Sequence, residues 1–288
     1  MFMATVVACI LCGVIGTFVV VNRMVSVTGG IAHTTFGGVG FAYFISSVLL
    51  VGWLTPMVGA LIFGVGAALI MSYSNMKRDV RQDSVIGMLW AVGMAAGVIF
   101  MSMVDRTVVT PLSYEAILFG DVLFVGTSTL ITMIIVSAVI IMIVALLYRE
   151  LQILTFDDQH AHLFGVNVPV MNTILYVMIA VACVMVANVV GIVMIIALMT
   201  IPAAMANLYM KNLKDVMIYA SASSAVLAIL GLFIAIAFDV PPGATVVMVI
   251  GCAFILVLLI RYLSERRKIS IRTKGRDTFE KETTDLNR

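Results

Sequence analysis

The chain has 288 residues, of which 62% are apolar and 11% charged, with a mean hydropathy of +1.17 and a net charge of +2. Soluble domains run at about 45–50% apolar and about 25% charged, so the excess is too large for a buried core and requires a lipid environment. The apolar runs are continuous rather than short and alternating, which excludes a β-barrel, and the small positive charge carries no nucleic-acid signal.

Taken in order, the runs predict spans at about 2–22, 34–54, 56–74, 84–104, 125–148, 168–187, 189–210, 216–238 and 244–263. Each can cross about 30 Å of hydrocarbon at about 1.5 Å per residue. The divisions at 54/56 and 187/189 rest on short interruptions, and eight spans with a re-entrant piece fit nearly as well. The expected fold class is all-α: a polytopic membrane bundle of eight or nine transmembrane helices over residues 1–263, with a charged cytoplasmic tail at 264–288. The first run lacks a basic start and a small-residue cleavage site and reads as a span, not a cleaved signal.

Cys9, Cys12, Cys183 and Cys252 all lie inside apolar runs, which argues against disulfides. Cys9 and Cys12 share a helix face; a soft-metal site is conceivable there, but packing is the favoured reading. Gly37, Gly38 and Gly40, Gly64 and Gly66, and Gly93 and Gly97 fall within spans and permit close helix contact.

Between the fifth and sixth predicted spans lies a polar island, Phe156-Asp157-Asp158-Gln159-His160-Ala161-His162-Leu163-Phe164-Gly165. The stretches Thr127 to Leu147 before it and Val166 to Met210 after it carry no charge. A helix-sized polar insert between spans belongs in water, or docked on something in water. It is read as a cytoplasmic coupling helix at about 155–166, the place where a soluble partner grips the protein. With the island in the cytoplasm, alternation of the spans puts every Lys and Arg except Arg106 on the same side, as the positive-inside rule requires. The N-terminus is then outside, the C-terminus is cytoplasmic, and losing or gaining one span breaks the pattern.

Three features could carry function. His33, ten residues past Arg23, sits up to about 15 Å into the bilayer if the segment is helical. At that depth an ionisable side chain is a functional candidate, and a neutral imidazole is a good Zn²⁺ or Mn²⁺ ligand. The competing reading is a histidine hydrogen-bonded to a neighbouring helix. Pro202 in mid-span, beside Thr200, leaves the Leu198 carbonyl without its donor; this marks either a kinked pore-lining helix or an ordinary relieved kink. Asp105, Glu115 and Asp121 belong to an outer loop that could meet a cation or a solute-binding protein, or simply be solvated. The stretch 239–243 reads as a turn.

No Walker-type phosphate loop, His-Glu-x-x-His motif or Ser/His/Asp set is present, and no span centre carries an acid or an arginine. The chain is therefore expected to be a transport subunit rather than an enzyme, energised by a partner, with no covalently bound cofactor.

The chain resembles the permease subunits of bacterial and archaeal zinc/manganese ABC importers from about residue 5 to residue 262. The likeness rests on five blocks in order: Arg23-Met24 with Gly30, His33 and Gly38-Val39; Tyr114 with Leu118-Phe119-Gly120 and Leu123; Phe156-Asp157 with Ala161 and Gly165; Val190-Gly191 with Ala197-Leu198 and Pro202-Ala203-Ala204; and Leu230-Gly231 with Asp239 and Pro242-Gly243. The resemblance implies a homodimeric or pseudo-dimeric permease in the cytoplasmic membrane, two cytoplasmic ATPases, an extracytoplasmic metal-binding protein and alternating access. It implies His33 as a metal ligand, Gly29, Thr200 and Pro202 along the pore, and Phe156, Asp157, Asp158, His160, Ala161 and Gly165 as the ATPase-coupling surface. Many members carry Asp four residues before the histidine; here that position is Gly29, so the carboxylate does not carry over. Zn²⁺, Mn²⁺ and Fe²⁺ are the candidate cargoes. A chelated metal or another small solute is the alternative within the same architecture, and a secondary transporter the alternative outside it.

Overall fold

The structure is a computed structural model that describes residues 2–49, 53–76, 81–105, 107–109, 111, 113–120, 126–156, 161 and 165–286, with backbone alone at 114, 115, 265 and 267–286. Every regular element among these is a helix: α1 (Phe2–Val21), α2 (Val25–Leu49), α3 (Pro56–Met76), α4 (Gln82–Ser102), α5 (Tyr114–Phe119), α6 (Thr127–Leu146), α7 (Tyr148–Phe156), α8 (Val168–Val190), α9 (Ile192–Tyr209), α10 (Leu213–Phe238) and α11 (Pro242–Leu286). Residues 1–250 form one compact unit and residues 251–288 a second, which is helical wherever it is described.

Eight helices among the described residues are long and apolar enough to cross a membrane: α1, α3, α4, α6, α8, α9, α10 and the Pro242–Ser264 stretch of α11. The remaining long helix, α2, is diluted by Gly, Thr, Ser and His33 and falls short on apolarity. It is nevertheless the most thoroughly enclosed, with residues 27–38 buried without a break. Helices α3, α4, α8 and α9 pack around it, so its polar atoms face protein instead of lipid. Thr34 Oγ1 donates to its own helix at the Gly30 carbonyl (2.7 Å) and across to the Leu89 carbonyl of α4 (3.1 Å).

Glycine brings these helices together. A Cβ on Gly37 would lie 2.7 Å from the Gly93 carbonyl oxygen, and one on Gly40 would lie 2.6 Å from that of Gly97, so α2 and α4 cross backbone to backbone. Gly38 and Gly59 make the equivalent contact between α2 and α3. A second group gathers around α1, which packs against α6, α8, α9 and α10.

The boundaries differ from expectation in two places. α2 begins at Val25, not near residue 34, because Gly29 and Gly30 are spent on packing and do not break the helix. The α8/α9 break falls at Gly191 (φ 85°), not at 187/189, because this left-handed backbone favours glycine and the Gly120 backbone presses against the same point. The expected turn at 239–243 is present: Asp239 caps α10 in the left-handed region (φ 53°) and the Val240 amide returns to the Ala235 carbonyl (3.1 Å).

Candidate functional site

His33 lies on the fully enclosed part of α2 and is 9% exposed. Its ring stacks on the indole of Trp90 from α4, centroids 4.4 Å apart and planes 20° apart. Its Nδ1 is buried with no hydrogen-bond partner. A packing histidine that has displaced water finds a partner for each buried ring nitrogen, because an unmade hydrogen bond costs about 1–3 kcal/mol. Gly29 stands one turn earlier on the same face, and a Cβ there would come within 2.8 Å of Trp90 Cζ3. The indole thus covers both positions.

One turn closer to the helix start is a polar cavity of about 210 Å³ lined by Asn22, Arg23, Met24, Ser26, Val27, Asn75, Gln82, Asp83, Ile86, Asn172 and Tyr176. Ile86 connects it to the His33 region, since a Cβ on Gly30 would touch Ile86 Cγ2 at 3.0 Å. Gln82 Nε2 donates to the buried Tyr176 hydroxyl. The cavity opens at the end of the bundle where Arg23 adopts a left-handed conformation (φ 57°). There the Arg23 amide bonds Val20 O (3.1 Å) and the Met24 amide bonds Val19 O (2.7 Å), closing α1.

The pore candidates of α9 fall in other surroundings. Pro202 is buried within a helix that continues through it, and the adjoining Ala203 and Ala206 pack on Val216 and Ala220 of α10. The Thr200 hydroxyl donates to the Ile196 carbonyl (2.6 Å). The three buried cysteines, Cys9, Cys12 and Cys183, are free thiols; Cys183 Sγ lies 3.8 Å from Met199 Sδ. Among the described residues no three His, Cys, Asp or Glu side chains come together in a metal-holding group.

Part of the coupling surface lies outside the described residues: Asp157, Asp158 and His160. Around it, α7 buries Leu151 and Leu154 and ends at an exposed Phe156. Ala161 is fully buried and accepts a bond from the Val166 amide (3.1 Å), and Gly165 takes a left-handed φ of 76°. Asn22 Nδ2 donates to Thr155 Oγ1 (3.3 Å), and the Lys214 ammonium lies 5.0 Å from the centroid of the Tyr148 ring. These contacts place Arg23, the start of the island and Lys214 at one end of the bundle.

Trp90 and the polar cavity have no counterpart in the sequence reading. A single tryptophan in an apolar run gives no signal, and the cavity residues come from five separate helix ends.

An all-α bundle with eight helices long and apolar enough to cross a membrane among its described residues defines a polytopic membrane protein. The chain belongs to the ABC 3 transport family, whose model matches residues 1–261. It is 34% identical over 258 residues to an uncharacterized membrane protein of Synechocystis, covering 90% of this chain and 88% of that protein. It is 32% identical over 250 residues to the manganese transport system membrane protein MntC of Listeria monocytogenes, covering 87% and 85%. Among solved structures, PsaBC from Streptococcus pneumoniae in complex with Fab contains a chain that superposes with a TM-score of 0.78 at 27% identity, covering 92% of this chain and 93% of that one. An inward-facing putative metal-chelate type ABC transporter shares the fold alone, with a TM-score of 0.63 at 12% identity.

Proposed function

We propose that this chain is the permease subunit of an ABC importer that passes a divalent metal ion, Zn²⁺, Mn²⁺ or Fe²⁺, into the cytoplasm by alternating access. A separate cytoplasmic ATPase drives it, an extracytoplasmic metal-binding protein feeds it, and two copies pair so that two His33 imidazoles serve one path. The observation that carries this reading is the buried, unpartnered Nδ1 of His33 on the enclosed helix α2 of an ABC 3 family member. The name of the Listeria relative supports metal as cargo.

The end of the bundle holding Arg23, α7 and Lys214 is assigned to the cytoplasm, because the basic residues gather there. The polar cavity is then the inner vestibule into which an ion passes from His33, and α7 with the island after it is the surface on which the ATPase acts. The membrane is the cytoplasmic one, with the N-terminus outside and the C-terminus inside.

The test is uptake of radiolabelled Mn²⁺ and Zn²⁺ by cells expressing the chain with its ATPase and binding protein. His33→Ala is expected to abolish uptake at unchanged membrane abundance; unaltered uptake and selectivity would remove His33 from the path. Gly29, standing where many members of the resembled family carry a carboxylate, favours a chelated metal as the second reading. Failure of free Mn²⁺ and Zn²⁺ to compete for the binding protein would select it.

A further inference from the structure

We propose that Trp90 is the specificity-determining residue of this path. Its indole fills the place from which a second ligand would join His33, so the ion is selected by nitrogen and an aromatic face rather than by a carboxylate. The inference rests on the metal-permease reading and names the cargo class within it: a borderline, nitrogen-preferring divalent ion such as Zn²⁺ or Fe²⁺, in preference to the harder Mn²⁺.

The geometry carries the argument. On a helix, the position four residues before a ligand faces the same way one turn below it, and is where a chelating partner on that helix would stand. For His33 that position is 29. A Cβ there would meet Trp90 Cζ3 at 2.8 Å and Cη2 at 3.1 Å, both at the far end of an indole that is 38% exposed and stacks on His33. A carboxylate needs still more room than a Cβ, so Gly29 and Trp90 are one choice made at two positions. The same indole lies 4.4 Å from the imidazole centroid, fixing its orientation and walling one side of it. Nδ1 is left without a protein partner.

The chemistry follows from this donor set. Imidazole suits Zn²⁺ and Fe²⁺, whereas Mn²⁺ favours carboxylate and carbonyl oxygen. An indole face supplies weak cation attraction and no formal charge. A station with one imidazole and one indole per chain holds an ion without the anionic grip that would retain hard cations, and a neutral station also lets the ion leave.

The experiment is a double-mutant cycle on the full chain, expressed with its ATPase and binding protein, reading the ratio of Zn²⁺ to Mn²⁺ uptake. Trp90→Ala and the pair Gly29→Asp with Trp90→Ala are expected to shift the ratio toward Mn²⁺ by roughly tenfold, the usual size of a change beside a metal ligand. Gly29→Asp alone should transport poorly, and Trp90→Phe should keep the wild-type ratio. A separate readout uses the chain's two tryptophans. With the exposed Trp53 replaced by Phe, Trp90 emission should respond to Zn²⁺ at lower concentration than to Mn²⁺, and His33→Ala should abolish the response. The proposal is overturned if Gly29→Asp is tolerated equally with and without Trp90, if the ratio is unmoved in Trp90→Ala, or if Trp90 emission ignores both ions. Failure of the wild-type chain to move either metal would instead sink the functional reading beneath it.

Discussion

Substitution of Gly38 by Ala adds a single methyl at the α2–α3 crossing, and the structure gives its cost. That methyl would overlap the Gly59 carbonyl oxygen and lie 2.8 Å from Phe63 Cβ. Neither neighbour is the free end of a flexible side chain, so α2 and α3 must separate. Overpacking of this kind costs about 1–3 kcal/mol. Gly66 on α3 is the matched control: a Cβ there meets nothing within 4 Å, and Gly→Ala in an unobstructed helix gains about 0.5–1 kcal/mol. The two variants differ by one methyl each yet should melt apart by on the order of 5–10 °C, taking about 2–4 °C per kcal/mol. The assay is the apparent melting temperature of the detergent-solubilised chain, read as the fraction remaining monodisperse after heating. Equal melting of Gly38→Ala and Gly66→Ala would refute the backbone-to-backbone crossing, and with it the enclosure of His33 by α2's neighbours.

Asn22→Leu and Thr155→Val each remove the bond joining the α1 end to α7, and a double-mutant cycle on transport per ATP hydrolysed should show coupling of up to about 1 kcal/mol; strict additivity would mean the bond transmits nothing. Tyr176→Phe strands Gln82 at the cavity wall and should cost about 1 kcal/mol of stability, read by the same melting assay, with no change if the hydroxyl is idle. Asp105 accepts bonds from the Thr107 hydroxyl (2.7 Å) and amide (2.9 Å), and these hold its carboxyl below the usual carboxylate range. The ordering they give the loop is present above the ordinary carboxylate value and is lost as pH falls through the lowered one. Thr107→Val should move the Asp105 titration, followed by NMR of the labelled carboxyl, upward; an unmoved midpoint would show the hydroxyl to be irrelevant. For orientation, Phe156→Cys should react with an impermeant thiol reagent only from the cytoplasmic side and Asp105→Cys only from the other, in a chain carrying Cys252→Ser. Reaction of both from one side would dismantle the topology.

The sequence by itself determined the solvent. Long uncharged runs can be satisfied only as helices in lipid, and the clustering of Lys and Arg between particular runs orders them, so an all-α polytopic bundle and its two ends were legible from composition and position. Small residues in the spans announced tight crossings, and the Asp239 turn announced itself through its prolines and glycine. What only the tertiary structure decided is which residues meet. Gly29 and Gly30 resemble a helix break until α4 packs across them; only then is α2 seen to begin at Val25 and to shelter His33. Trp90 is 57 positions from His33, and nothing in either local sequence specifies their stacking. The polar cavity likewise arises from the ends of α1, α2, α3, α4 and α8 converging. Hydropathy is a property of a segment and its solvent, and a chain carries it openly. A site is a coincidence of distant side chains, and it exists only once close packing has fixed which helix faces which.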